Sequence, residues 1–196
     1  MNNSMIKSIQ KAALVLSLGL GLAANAHAGL VGVKTIEIKN ALNTWLQVAE
    51  VYAFNTASVN MALASNGGIA SAPDNWDNVS PPSNAIDGDT SGTYPNIFHE
   101  GNDGSNDTLT ITLASVQELL TFQIWGRDSW TERDLYDVTF KDEMGFILYV
   151  AEDLDARSDK NHTASVNLPN TVPEPASLAL LGMGLLGLAG MRRRSK

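Results

Sequence analysis

The chain has 196 residues, no cysteine and a formal net charge of −8 at pH 7. Its length allows one domain once the two ends are set aside, and the lack of cysteine excludes disulfides, a thiol nucleophile and a cysteine metal site. Residues 29–170 carry 7 basic and 20 acidic side chains, a formal charge of −13. Such a surface repels nucleic acid, which we therefore exclude as a partner. Solubility alone also explains the charge, so it does not indicate a ligand.

The first 28 residues have the composition of a secretory signal peptide. Two lysines precede an apolar run at residues 12–24, and Ala26 and Ala28 form a small-x-small cleavage site. This order predicts recognition by the export machinery and cleavage after Ala28. The alternative is an uncleaved membrane anchor, although the apolar run is short for a membrane span.

The last 26 residues, 171–196, have the composition of a membrane-held sorting tail. They contain Pro173-Glu174-Pro175, an apolar stretch at 178–191 with four glycines, and three arginines at 192–194. Small residues are common in membrane helices, and clustered arginines stay on the cytoplasmic side. We therefore expect a C-terminal transmembrane helix that holds the precursor in the membrane.

The order of these features resembles the PEP-CTERM sorting signal of biofilm-forming bacteria. The resemblance implies recognition by an exosortase and cleavage near Pro173, Glu174 and Pro175. It also implies delivery to the cell surface or into an extracellular matrix rich in exopolysaccharide. An ordinary tail anchor is the alternative, and both interpretations begin with a precursor held in the membrane.

The domain between the two ends, residues 29–170, has the pattern of an all-β fold. The expected strands lie at residues 33–38, 45–54, 109–113, 119–125, 138–140, 146–150 and 163–168. Clusters of Asn, Gly, Ser, Asp and Pro separate them, as turns between short strands require. Residues 42–53 also fit a helical pattern, and that alternative stays open. Many short strands with turn-rich connections predict a jelly-roll β-sandwich.

Several short motifs of this domain together resemble a known family. They are Ser83-Asn84-Ala85-Ile86-Asp87-Gly88-Asp89, Phe98-His99, Ile124-Trp125-Gly126-Arg127, Glu132-Arg133 and the segment 138–145. In this order they resemble the discoidin domain, the coagulation-factor 5/8 type C family, which includes the fucose-binding F-type lectins. The resemblance implies a galactose-binding-like jelly roll that binds carbohydrate.

The strand order departs from that family at the end of the domain. After Leu168 the family has two further strands, whereas here the chain enters the sorting tail at once. Residues 34–38 and 45–54 resemble the two missing strands. We therefore interpret the domain as a circular permutant of the discoidin fold, which is permissible because the termini of a domain often lie close together.

The loop around Asp87 is a candidate calcium site. Asp87-Gly88-Asp89 offers oxygen atoms at alternate positions, which suits a hard cation, although Phe98 at the twelfth position excludes an EF-hand. The resemblance to the F-type lectins implies a Ca²⁺ ion held by the side chains of Asp87 and Glu50 together with other oxygens. The remaining predicted ligands are oxygens of Ala49, Asn84 and Asp89 and one near Asn96. The alternative is that Asp87-Gly88 forms only a turn and that Glu50 is solvated.

A second candidate site follows from the lectin resemblance and would bind a sugar. His99, Arg127 and Arg133 match the family's ligand residues in order, and Trp130 lies between the arginines. Arginine forks can hydrogen-bond neighbouring hydroxyl groups, and an aromatic face can stack on a sugar ring. The spacings differ from the lectin pattern by one residue in two places, and the lectin's paired cysteines are absent. The alternative is that both arginines form ion pairs with Asp128, Glu132 or Asp134.

These observations predict an exported, non-enzymatic protein that binds exopolysaccharide or a cell-surface glycan. The alternative is a structural protein of the extracellular matrix without a specific glycan ligand. No catalytic motif of a hydrolase or phosphate-binding enzyme is present in the sequence. A glycoside hydrolase would require two carboxylates facing a cleft, which a sequence cannot show.

Overall fold

The computed structural model describes residues 29–102 and 107–170, so the predicted signal peptide and sorting tail lie outside the described residues. The described strands are β1 (Leu30–Asn40), β2 (Gln47–Val48), β3 (Glu50–Asn55), β4 (Ile69–Ser71), β5 (Phe98–His99), β6 (Leu109–Trp125), β7 (Leu135–Lys141), β8 (Ile147–Asp155) and β9 (Thr163–Asn167). Short 3-10 helices occupy Ala64–Asn66, Trp76–Asn78, Pro82–Ile86, Thr131–Arg133 and Ser158–Lys160. The all-β prediction is therefore confirmed, and the helical alternative for residues 42–53 is wrong.

Seven of the described strands form one sheet in which every pair of neighbours is antiparallel. Its central path runs β3-β6-β1-β7-β8, while β4 and β9 also pair with β6. The remaining strands, β2 and β5, form a separate two-stranded ladder in which Gln47 lies opposite His99. One residue of this ladder, His99, lines a pocket.

The 17-residue strand β6 connects two parts of the sheet. Its first residues pair with β1 and β4, residues 117–119 pair with β1 again after a register shift, and its last residues pair with β3 and β9. The buried positions change parity along the strand, from Leu109, Ile111 and Leu113 to Phe122 and Ile124. The sequence predicted two separate strands here because the exposed residues 114–116 interrupt the alternation, whereas the backbone continues through them.

Apolar side chains from both parts of the sheet form the core. Strand β7 shows the expected period of two, with Tyr136, Val138 and Phe140 buried between half-exposed neighbours. Phe122 packs edge-to-face on Phe140 with ring centroids 5.4 Å apart. Because alternate residues of a strand point to opposite faces, this pattern fixes which residues of β7 face the core and which face solvent.

The two ends of the described domain meet at the same point of β6. Leu30 lies opposite Leu119 in the β1–β6 ladder, and the Leu168 amide donates to the Leu120 carbonyl at 2.8 Å. Within the described residues, no helix is long and apolar enough to cross a membrane. The close ends are the geometry that a circular permutation requires.

Candidate functional site

A pocket of about 340 Å³ brings the predicted sugar-binding residues together. It is lined by Trp45, Trp76, Tyr94, His99, Arg127, Trp130 and Arg133. All four residues expected from the lectin resemblance are among them. The sequence did not indicate Trp45, Trp76 or Tyr94, which come from three separate loops or strand ends.

The β2–β5 ladder and the Trp76 turn form the aromatic wall of the pocket. Trp45 precedes β2, and the Glu100 amide donates to the Leu46 carbonyl at 3.0 Å, which places Trp45 beside His99. The ring centroids of Trp45 and His99 are 5.1 Å apart, and those of Trp45 and Trp76 are 5.2 Å apart. Both pairs meet edge-to-face, a preferred geometry for aromatic rings.

A close contact between two loops positions Arg127 and Tyr94. The Asp128 amide donates to the Gly92 carbonyl at 3.0 Å, and the Thr93 hydroxyl donates to the Asp128 carboxylate at 3.0 Å. Gly92 has a φ of +70°, and a Cβ atom there would lie 2.8 Å from the Asp128 nitrogen. Glycine is therefore required for this approach, which leaves the Arg127 guanidinium 5.3 Å from the centre of the Tyr94 ring.

The turn at residues 130–133 presents the second arginine. Trp130 has a left-handed backbone with a φ of 59°, and the Arg133 amide donates to its carbonyl at 3.2 Å. The Arg133 guanidinium lies 5.0 Å from the centre of the Trp130 ring. Because 57% of Trp130 remains exposed, its ring is accessible to a ligand.

Neither arginine is paired with the acidic neighbours that the alternative interpretation named. Within residues 29–102 and 107–170, the ion pairs are Glu37–Lys141, Asp155–Arg157 and Asp159–Lys160. Asp128 is engaged with Thr93, and Asp134 accepts a hydrogen bond from Tyr136. The arginines stack on aromatic rings instead, so their guanidinium groups stay available to a ligand.

His99 lines the pocket, but both of its ring nitrogens are occupied. Its Nδ1 is 2.7 Å from the Glu100 carbonyl oxygen, which can only accept, and its Nε2 is 2.9 Å from the Gln47 side-chain nitrogen. Burial lowers the pKa of His99 below its usual 6.5, and the charges of Arg127 and Arg133 lower it further. We infer a neutral ring with the proton on Nδ1, so His99 contributes an aromatic surface rather than a free hydrogen-bond donor.

A buried carboxyl group, that of Asp134, interacts with the backbone and the charge of Arg127. Asp134 is fully buried, and the Tyr136 hydroxyl lies 3.0 Å from its Oδ1 and 2.6 Å from the Gln47 carbonyl. Burial raises the pKa of Asp134 to about 8, against the lowering effect of the Tyr136 hydrogen bond. A Cβ atom on Gly126 would lie 2.3 Å from the second Asp134 oxygen, so this layer is tightly packed. No sequence pattern indicated this arrangement, because Asp134 stands in an ordinary polar turn.

The predicted calcium residues meet in part. Glu50, the first residue of β3, accepts a hydrogen bond from the Gly88 amide at 2.7 Å through its Oε2. Glu50 is fully buried, and its Oε1 has no hydrogen-bond partner within the described residues. The expectation of a solvated Glu50 is therefore wrong, and the carboxylate lies against the Asp87 loop.

The electrostatics of Glu50 reflect this burial. Its pKa is raised to about 8, mainly by burial and also by the nearby Asp87 charge, against the lowering effect of the Gly88 hydrogen bond. Such a carboxyl group is stabilised either by a proton or by a cation.

The other predicted ligands hold the loop together. Asp87 and Asp89 accept hydrogen bonds from the amides two residues ahead, at 2.8 and 2.9 Å. The Asn84 side chain donates to the carbonyls of Pro95 and Ile97, and the amides of Ala49 and Asn96 donate to backbone carbonyls. Among the described residues, no group of three or more His, Cys, Asp or Glu side chains could hold a metal. Any cation here would therefore depend on two carboxylates and on carbonyl oxygens.

Comparison with known proteins adds evidence about the end of the chain. Residues 171–194 match the PEP-CTERM protein-sorting motif. The expected sorting motif is thereby confirmed, and it implies an exported, membrane-anchored precursor that is sorted to the cell surface through exosortase processing. Comparisons with curated proteins and with solved structures gave no match. The discoidin resemblance of residues 33–168 therefore stays a prediction.

Proposed function

We propose that the domain of residues 29–170 binds carbohydrate outside the cytoplasm, as a non-enzymatic module of the cell surface or of an exopolysaccharide matrix. The observation that carries this proposal is the pocket in which three tryptophans, a tyrosine and two arginines converge. Its volume of about 340 Å³ lies at the lower end of the range for small-ligand sites, which suits a sugar unit.

The chemistry of the pocket suits a sugar better than a purely apolar ligand. Aromatic faces can pack on the C–H faces of a sugar ring, and guanidinium groups can bind its oxygen atoms through two parallel hydrogen bonds. Trp76 and Trp130 are 38% and 57% exposed, so their rings are accessible from solvent. Trp45 and Tyr94 complete the wall around the arginines.

Binding is favoured over hydrolysis by the side chains that surround the pocket. Glycoside hydrolysis normally uses two carboxylic acids on opposite sides of the scissile bond. The seven lining residues, all within the described part of the chain, include no Asp or Glu. The buried Asp134 is not among the lining residues.

The discoidin interpretation and its circular permutation form the structural part of the proposal. The interpretation required that Glu50, on the displaced strand, lie beside the loop from Asn84 to Asp89. The hydrogen bond between Glu50 and Gly88 supports that arrangement, as do the close ends of the domain. The jelly-roll assignment of the sheet belongs to the same proposal.

A structural Ca²⁺ ion is the proposed cofactor. One observation fits a cation at this position. The Oε1 atom of Glu50 is buried without a hydrogen-bond partner in the described residues, and it lies near the Asp87 carboxylate. Hard oxygen ligands of this kind are the ones that Ca²⁺ prefers. The ion would be held by Glu50 and Asp87, with carbonyl oxygens of Ala49, Asn84 and Asp89 and an oxygen near Asn96. It would stabilise the loop rather than take part in a reaction.

A glycan array probed with the mature exported protein tests the function directly. We expect binding to a restricted set of glycans, including the host's own exopolysaccharide, and loss of this binding in Trp130→Ala. The absence of binding to every glycan by a correctly folded protein would favour the structural matrix protein without a glycan ligand.

A further inference from the structure

The hydrogen-bonding groups that line the pocket are almost all donors. Arginine and the tryptophan indole can only donate, and His99 is already occupied by Gln47 and Glu100. Among the seven lining side chains, only the Tyr94 hydroxyl can accept a hydrogen bond from a ligand. A neutral sugar must place several hydroxyl protons on acceptors, and this lining offers few.

The positive charge of the pocket is not neutralised by the protein's own ion pairs. Arg127 and Arg133 form none within the described residues, and the Arg127 Nε is buried without a hydrogen-bond partner there. The buried Asp134, which interacts with Arg127, has a raised pKa of about 8, so it offers little negative charge at neutral pH. The pocket therefore keeps two guanidinium charges next to aromatic faces.

We propose that the pocket selects an anionic sugar unit, one that carries a carboxylate or a sulfate ester, rather than a neutral sugar. This rests on the proposed carbohydrate-binding function. An anionic substituent supplies acceptor oxygens and the opposite charge, and charge-assisted hydrogen bonds to arginine are the strong ones. The overall negative charge of the domain opposes anions at a distance, but at physiological ionic strength charges more than about 8 Å away are largely screened.

Matched oligosaccharides of equal length test this selection by titration calorimetry. The probes are oligogalacturonate, its methyl ester, and a sulfated and an unsulfated galactan. We expect the mature protein to bind at least one anionic member roughly tenfold or more tightly than its neutral counterpart, since a lost charge-assisted bond costs that much or more. The uronate and sulfate arms identify which anion is preferred.

Two variants and one control assign the selection to the pocket. Arg133→Gln and Arg127→Gln should each bring the anionic and neutral affinities close together, whereas Arg157→Gln should not, because Arg157 is paired with Asp155 outside the pocket lining. Equal affinity for the charged and neutral members, or tighter neutral binding, would overturn the inference and leave carbohydrate binding intact. If the folded protein bound none of these probes and no glycan of the array, both proposals would fall.

A separate observation concerns the first described residue. The Gly29 nitrogen lies 2.8 Å from the Glu118 Oε1, and Gly29 is buried where β1 meets β6. A Cβ atom at this position would lie 2.2 Å from the Leu119 carbonyl oxygen, so the site accepts only glycine without rearrangement. The predicted cleavage after Ala28 would turn this amide nitrogen into the α-ammonium group of the mature chain.

We infer that removal of the signal peptide creates an ion pair between the Gly29 α-ammonium and Glu118, and so stabilises the domain only after export. The bond from an ammonium group to a carboxylate is charge-assisted and stronger than the bond from a neutral amide. It would join the start of β1 to β6, at the point where the end of the domain is also attached through Leu168 and Leu120.

The test compares the mature protein with a form extended by two residues before Gly29, in each case with and without Glu118→Gln. We expect Glu118→Gln to lower the Tm of the mature form by about 3 °C, the shift that roughly 1 kcal/mol produces in a domain of this size, and to lower that of the extended form by less. Glu152→Gln, an exposed residue of β8, is the control. Equal losses in the mature and extended forms, or a mature chain that does not begin at Gly29, would overturn the inference.

Discussion

The carboxylate of Glu50 accepts a hydrogen bond from the backbone amide of Gly88 at 2.7 Å, although the two residues are 38 positions apart in the chain. Gly88 has a φ of +96°, a left-handed conformation that glycine adopts without strain. The contact ties the start of β3 to the Asp87 loop. It also places a fully buried carboxyl group beside the negative charge of Asp87.

The buried Glu50 predicts that stability falls as pH rises. Its pKa is about 8 in the folded protein and 4.5 in a solvated chain, so the folded state holds the proton to a higher pH. The stabilisation of the folded state by this retained proton is complete below pH 4.5 and is lost as the pH rises to about 8. Glu50→Gln should flatten the dependence measured by urea unfolding at pH 5 and pH 8.5 without Ca²⁺. Asp134, with its pKa raised to about 8, should leave a residual slope of the same sign. An unchanged slope in Glu50→Gln would contradict this assignment.

Calcium should stabilise the protein through the same residue. A ligand that binds only the folded state adds about 2.7 kcal/mol at one hundred times its Kd, so Ca²⁺ should raise the Tm and a chelator should lower it. Glu50→Gln and Asp87→Ala should each abolish the response. Asp89→Ala is a matched control and should retain most of it, because Asp89 is predicted to contribute a backbone oxygen while its carboxylate accepts from the Ser91 amide. A full response to Ca²⁺ in Glu50→Gln would exclude this site.

The neutral state assigned to His99 depends on its hydrogen bond with Gln47. Gln47→Leu removes that partner and leaves a buried ring nitrogen unsatisfied, which should lower the free energy of unfolding by about 1–3 kcal/mol. Gln123→Leu, on a half-buried position of β6, should have a smaller effect. Denaturant unfolding measures both. An equal loss in the two variants would show that the bond to His99 contributes nothing specific.

Processing at both ends predicts the mass of the mature protein. Intact mass spectrometry of the exported form should give a chain that begins at Gly29 and ends near Pro173-Glu174-Pro175, because the PEP-CTERM match places the sorting signal at residues 171–194. In a strain without the exosortase, the tail should be retained. Surface-exposed protein that still carried the arginines at 192–194 in the normal host would contradict the sorting assignment.

Features set by local pattern could be predicted from the sequence. The alternation in β7 and the apolar segments of β1 and β6 indicate strands. An apolar residue at every second position is the pattern expected of a β-strand with one buried face. The short strands β4 and β5 were missed, because three and two residues give no periodicity. The sequence also divided β6 in two, because residues 114–116 are exposed where the register of the β1–β6 ladder shifts, and this interrupts the alternation.

Features set by contacts between loops could not be predicted. Trp76 and Tyr94 lie in turn-rich segments, and they reach the pocket only through the Trp76 turn and the approach of Gly92 to Asp128. The sequence placed His99 in the pocket but could not show that Gln47, across the β2–β5 ladder, occupies its ring nitrogen. An unexplained tryptophan in a polar loop, such as Trp76, is the signal that could have extended the predicted site.

The central claim is that the aromatic pocket binds carbohydrate. Trp45, Trp76 and Trp130 line it and are three of the four tryptophans in the chain, so intrinsic fluorescence reports on the pocket directly. Titration of the mature protein with oligosaccharides from the host's exopolysaccharide should give a saturable change in fluorescence. Trp130→Ala should weaken binding roughly tenfold or more, because an exposed aromatic anchor is lost, whereas Phe146→Ala, an exposed aromatic outside the lining, should bind normally. No saturable change in the folded wild-type protein, or equal affinity in Trp130→Ala, would contradict the claim.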